Sequence, residues 1–157
     1  MFRKLKRIKQ ALTDDRCKEI LSTTLRGTLA LIGDNGYPYA ITLNHYYNED
    51  GCLYFHSGRA GHKIDALTAN DKACYTVYTQ LPPNPDSWAL DFESVVVFGK
   101  IEIVNDTKLT ETITRALSYK FTNDSNYIED EIAKFLNATT LLKLTPLHVT
   151  GKKVNEA

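Results

Sequence analysis

Hydrophobic positions along the chain change period several times, and each change marks an element. Cys17, Ile20, Leu21 and Leu25 fall at i, i+3, i+4 and i+8, the stripe of an amphipathic helix. Thr13 can cap it, Asp14 and Asp15 suit its positive end, and Gly27 reads as its stop. Residues 28–32 form a short apolar strand, followed by the hairpin signal Gly33-Asp34-Asn35-Gly36. Alternation then runs through residues 37–47. Tyr39, Ile41 and Leu43 are the large side chains, and Ala40, Thr42 and Asn44 the small ones. Asn48-Glu49-Asp50-Gly51 turns the chain into a strand over residues 52–57.

A short helix is expected near residues 61–69 and a β-rich strand over 73–80. Pro82, Pro83 and Pro85 make residues 81–86 a stiff loop. Residues 94–104 are the most apolar strand, and Gly99 inside it signals a bulge or a close backbone approach. Leu109, Ile113, Ala116, Leu117 and Phe121 give one helical stripe; Ile128, Ile132, Phe135 and Leu136 give another. A last strand over 139–145 precedes a polar tail, residues 146–157. About six strands joined mostly by tight turns predict an α+β fold: a mainly antiparallel six-stranded β-barrel with flanking helices. At 157 residues the chain is expected to form one domain, 1–157, with a basic arm at 1–12.

Composition excludes more than it assigns. Formal net charge is zero, and Lys and Arg are scarce on the strands, so nucleic acid is not an expected partner. Arg3, Lys4, Lys6, Arg7 and Lys9 read as a solvated arm. No apolar run approaches the ~20 residues of a membrane span, and the start lacks the apolar core of a secretory signal. The expected location is the cytoplasm, without membrane association. Cys17, Cys52 and Cys74 have no CxxC spacing and read as reduced thiols. Cys52 and His56 share a strand face, but no second Cys/His pair lies nearby in sequence, so no metal is expected.

The chemistry concentrates between Tyr37 and Leu67. Ala40, Thr42 and Asn44 leave room along one strand face for a planar ring, whose edge the backbone around Leu43 can read; the same small residues would equally serve close packing against a helix. The loop HSGRAGHK follows a strand and opens a helix. Ser57 supplies a hydroxyl, Arg59, His62 and Lys63 supply donors, and Gly58 and Gly61 permit unusual backbone angles. Free N–H groups at the helix start add partial positive charge, the layout of a phosphate site. The glycines match neither GxGxxG nor GxxxxGK[ST]. His45 lies on the large-residue side of its strand and reads as a packed or rim histidine. His148 receives no role.

The order NGYPYAITLN, DGCLYFHSGRAGHKIDAL and SVVVFGK resembles the FMN-binding split-barrel flavoproteins, the pyridoxamine 5′-phosphate oxidase-like group. The branch associated with 5-nitroimidazole resistance is the most similar. The similarity covers roughly residues 3 to 151, from FRKLKRIK to HVTGKK. It implies a split barrel and a homodimer with FMN in a groove between subunits. It maps flavin contacts to Ala40, Thr42, Leu43 and Asn44, and phosphate contacts to His56, Ser57, His62 and Lys63. Ser94, opening a later strand, would approach the flavin across the interface. The vitamin-oxidising members carry Arg and Lys where this chain has Tyr39 and Asn44. Their C-terminal Trp and Arg have no match, the one Trp being Trp88. This argues against pyridoxamine phosphate oxidation. Some relatives bind a deazaflavin or haem.

The expectation is an FMN-dependent oxidoreductase. It would pass electrons, from NAD(P)H as donor, to a small-molecule acceptor such as a nitroaromatic or quinone-like compound. No Ser/His/Asp or Cys/His constellation is present, and none is needed when the flavin carries the electrons. The alternatives are a flavin store or sensor without turnover and a pyridoxamine-phosphate-oxidase-like enzyme.

Overall fold

A computed structural model of the protein describes residues 1–155. The elements in chain order are α1 (Asp14–Thr23), β1 (Arg26–Ile32), β2 (Pro38–Asn44), β3 (Tyr46–Tyr47), β4 (Leu53–Ser57) and α2 (His62–Ala69). Then come β5 (Lys72–Gln80), β6 (Phe92–Val104), α3 (Thr107–Tyr119), α4 (Ser125–Phe135) and β7 (Thr140–Val154). The strands form one antiparallel sheet in the order β2-β1-β5-β6-β7-β4-β3. The sheet curls until β2 touches β4, giving the split barrel. Its concave side holds Leu29, Leu31, Phe55, Tyr75, Val95, Val97, Leu142 and Leu144, closed by Ile20 and Leu21 of α1 and Ile64 and Leu67 of α2. No helix among the described residues is long and apolar enough to cross a membrane.

Local chemistry sets the element ends. The Thr13 hydroxyl accepts from the Arg16 N–H at 3.2 Å, capping α1. The helix stops at Thr23, because the Ser22, Thr23 and Thr24 hydroxyls turn back onto the carbonyls four residues earlier and Thr24 is extended. Gly27 is therefore not the helix stop. It lies in β1, where a Cβ would sit 2.4 Å from the Thr76 carbonyl oxygen of β5. The Gly33–Gly36 turn forms as expected, with Asn35 and Gly36 at φ 57° and 75°.

Two further expectations need correction. There are seven strands, not six, because the 37–47 segment breaks at His45, which is fully buried between β2 and β3. The polar tail is not a tail: β7 continues to Val154, paired with β6 on both sides of a bulge at Leu147. The Gly99 bulge makes this legal. The register shifts between Phe98 and Gly99, Gly99 faces Pro146, and a Cβ on Gly99 would lie 2.2 Å from the Thr145 oxygen. Beyond the bulge Val149 and Gly151 lie opposite Val97 and Val95. Residues 156 and 157 of the expected tail lie outside the described residues. The basic arm is anchored at both ends: Phe2 stacks on His148, ring centroids 5.0 Å apart, and on Phe98 at 5.4 Å, while Ala11 bridges to Lys152 and the Leu12 N–H donates to the Gly151 carbonyl at 3.0 Å.

Candidate functional site

β2 is an edge strand, so one side of its backbone has no strand partner. Its alternation sorts as the sequence implied. Tyr39, Ile41 and Leu43 pack against the core, while Ala40 and Thr42 are exposed on the opposite face and Asn44 is half-buried there. That face is continuous across the sheet. Thr42 lies opposite Thr28, Thr28 opposite Thr76, and Thr76 opposite Val96; Ala40, Ala30, Cys74 and Phe98 form the next row.

The end of β2 is held by a buried network. His45 Nε2 donates to the Leu21 carbonyl at 2.7 Å, which fixes the tautomer and leaves Nδ1 as acceptor for the Tyr75 hydroxyl at 2.8 Å. The same hydroxyl lies 3.1 Å from the Leu43 carbonyl. Lys120 Nζ, from the end of α3, donates to the Thr24 and His45 carbonyls at 2.7 and 3.0 Å. Burial pushes the His45 imidazole down to about 4 and the Lys120 ammonium down to about 8. His45 thus holds the strand rather than lining a pocket. Lys120 and Tyr75 carry no local sequence signal for this role.

The loop after β4 comes up against the other end of β2. His62 stacks on Tyr39 with centroids 4.0 Å apart, and its Nε2 lies 3.7 Å from Asp34. Ser57 is buried at the end of β4. Gly61 caps α2 at φ 115°, and its carbonyl accepts from the Ile64 and Asp65 N–H groups at 2.8 and 3.1 Å. Only glycine takes that angle without strain. Lys63 is half-buried, and burial pushes its ammonium below the usual lysine range. Arg16, Lys100, Arg115, Lys134 and Lys143 each face a carboxylate; among the described residues Lys63 and Arg59 have none. A half-buried cation without a counter-ion, beside a helix start, fits a phosphate group.

The other expected site residues lie farther out. His56 alternates to the opposite face of β4 from Ser57 and opens onto a cavity of about 290 Å³ with Thr114, Ser118 and Glu131. Burial, and then the Lys63 ammonium, lower its pKa. Ser94 sits opposite Tyr78 and Lys152 on the same sheet face as Ala40 and Thr42. It is three strands away, roughly 14 Å at ~4.8 Å per strand, so one protomer does not bring it to β2. Trp88 is exposed on the proline loop. No group of three or more His, Cys, Asp or Glu among the described residues is placed to hold a metal.

The model of the pyridoxamine 5′-phosphate oxidase family matches residues 13–153. No curated protein matches the chain. Among solved structures, a candidate 5-nitroimidazole antibiotic resistance protein from Bacteroides thetaiotaomicron superposes with TM-score 0.74 at 22% identity, covering 92% of this chain and 87% of that one. A FAD-binding protein from Mesorhizobium loti gives 0.66 at 21%, covering 92% and 97%. The FAD and haem binding protein from Mycobacterium smegmatis gives 0.71 at 22%, covering 95% and 74%. At these identities the likeness establishes the fold.

Proposed function

The chain belongs to the pyridoxamine 5′-phosphate oxidase family, and from that premise we propose that it is an FMN-group-binding oxidoreductase. The ring lies along Ala40, Thr42 and Asn44, with Leu43 contributing backbone only. The phosphate lies at Ser57, His62 and Lys63, with His56 behind Lys63. The observation that carries this reading is Lys63, a half-buried cation with no carboxylate partner among the described residues, at the first turn of α2. Flavin supplies hydride and single-electron transfer. The chain's task is to bind, orient and keep water from the ring. The strip formed by Ala40, Thr42, Ala30 and Thr28 is uncharged and small in side-chain bulk, with Arg26 opposite Asn44 at its end, which suits a flat acceptor, and the fold shared with a nitroimidazole-resistance protein supports a nitroaromatic or quinone-like substrate. Reduced nicotinamide is the proposed donor, and the cytoplasm the proposed location.

The active form in this reading is a homodimer joined through the face that carries Ser94. Tyr78, Leu90 and Phe98 leave large apolar surface exposed on and beside that face. A two-fold pairing would bring Ser94 of one protomer towards the flavin of its partner. Flavin should then raise the melting temperature and tighten the dimer together. Light scattering on dilute protein, with and without flavin, tests this. A monomer that binds flavin fully at every practical concentration would overturn the shared site.

One observation favours a flavin store or sensor instead: Ala40, Thr42 and Asn44 offer no titratable group, and His45 is sequestered. Purified protein mixed with reduced nicotinamide and a nitroimidazole separates the two. Consumption of both supports the enzyme. Bound flavin inert to every donor and acceptor supports the store, and colourless protein that takes up no flavin defeats both.

A further inference from the structure

Charge is spread unevenly along this neutral chain. Residues 1–12 hold five of its 19 Lys and Arg, namely Arg3, Lys4, Lys6, Arg7 and Lys9, and none of its 19 Asp and Glu. The chain from residue 13 onward is net negative by the same five charges. The molecule is therefore polarised, a basic arm on an acidic body.

The two anchors of the arm decide how it is presented. Phe2 stacks on His148, and Ala11 bridges to Lys152, four residues farther along β7. Four residues of strand measure roughly 13 Å, whereas the nine residue steps from Phe2 to Ala11 could reach about 30 Å if extended. The chain between the anchors has slack and bows outward, with a 3-10 turn at Ile8–Gln10. All five cations are exposed, and none makes an ion pair among the described residues. Met1 and Phe2 are exposed as well, and Ile8, between Arg7 and Lys9, is 79% exposed. Apolar side chains interleaved with unpaired cations fit a surface that is anionic outside and apolar just beneath, the make-up of a bilayer with acidic headgroups. A nucleic-acid duplex offers the phosphates but no apolar layer for Met1 and Ile8.

We propose that the arm docks this protein peripherally on an anionic membrane surface. The five cations lie at the headgroups, and Met1 and Ile8 enter the layer below. The same surface repels the net-negative body, which orients the protein arm-first. The protein rests on the bilayer without crossing it; no helix among the described residues is long and apolar enough to span one. None of the arm's residues belongs to the proposed flavin site, so flavin uptake reports on the fold independently of docking.

The test sediments the full chain with vesicles of phosphatidylcholine alone and with vesicles holding about 30% phosphatidylglycerol. The protein should pellet with the acidic vesicles, stay in solution with the neutral ones, and be released at roughly 0.5 M salt. A Lys6→Gln, Arg7→Gln double variant should weaken partition about 25-fold, at roughly fivefold per cation near the surface. Ile8→Ser should weaken it too, without changing its salt dependence. Both variants should keep the parent's melting temperature and flavin uptake, since the altered side chains are exposed. Failure to bind either vesicle, equal binding to both, or partition unmoved by the double variant would overturn the proposal. Release from the vesicles by a DNA duplex, together with an unaffected Ile8→Ser, would overturn it as well and make the arm a grip for nucleic acid.

Discussion

Replacing Lys63 by Ala separates what the cation costs the fold from what it contributes to a ligand. In the free protein the ammonium is half-buried without a carboxylate, and burial lowers its pKa, so the charge is held at a disadvantage. Lys63→Ala should leave the melting temperature of the flavin-free protein unchanged or slightly raised. With flavin bound, the phosphate becomes the missing counter-ion, and a charge-assisted hydrogen bond contributes about 1.5–3 kcal/mol. At about 1.4 kcal/mol per tenfold, the dissociation constant should rise roughly ten- to a hundredfold. At a flavin concentration a thousand times the parent's Kd, ligand stabilises the parent by about 4.1 kcal/mol; a variant weakened a hundredfold gains only about 1.4. At about 2–4 °C per kcal/mol for a chain of this size, the flavin-induced shift in Tm should shrink by roughly 5–11 °C. Fluorescence titration and paired melts measure both quantities, with riboflavin, which has no phosphate, as the control. Equal losses for riboflavin and FMN, or a flavin-free variant that melts far below the parent, would refute the reasoning.

The buried His45 gives a pH prediction. Its imidazole titrates near 4 when folded and near 6.5 when unfolded, so the unfolded chain binds the proton first as pH falls. Stability should be intact above pH 6.5 and decline towards pH 4 by about 3 kcal/mol at ~1.36 per unit. Urea melts at pH 7, 5.5 and 4.5 should show this slope flattened in His45→Asn, and an unchanged slope would assign it elsewhere. Gly99→Ala places a methyl 2.2 Å from the Thr145 oxygen, against backbone that cannot swing away. It should destabilise by about 1–3 kcal/mol in thermal or urea unfolding, and a neutral result would show that the bulge relaxes freely.

What was legible in the sequence is what short-range periodicity encodes. The large–small alternation of β2 fixed which side chains face the core, because strand neighbours must point opposite ways. The polar Ser57–Lys63 loop was legible because the chain switches period there, with glycines at the switch. The tail was misread because residues 147–154 earn their strand state from β6, some fifty residues earlier, and Pro146 looks like a stop unless Gly99 is known to oppose it. His45, Tyr75 and Lys120 meet across separations of 30 and 75 residues, which no local window spans. Ser94 could be placed on a strand but not on a face relative to β2, since that needs the order of the strands between them.

The strand order sets a timetable for the chain as it is made. β7 lies between β6 and β4, so the β3–β4 hairpin has no backbone ladder to β1, β2, β5 and β6 until residues 140–154 exist. On a ribosome adding about 5–20 residues per second, the long apolar edge of β6 waits several seconds for its partner. Ser57 lies on β4, which β7 alone ties into the sheet beside β6, whereas Ala40 and Thr42 sit on the earlier block; α2 reaches that block directly, with His62 stacked on Tyr39. The strand ladder that fixes Ser57 relative to the rest of the proposed flavin site is therefore incomplete in a partial chain. Nascent protein should depend on holdase chaperones late in synthesis, and flavin should rescue folding only after β7 has emerged.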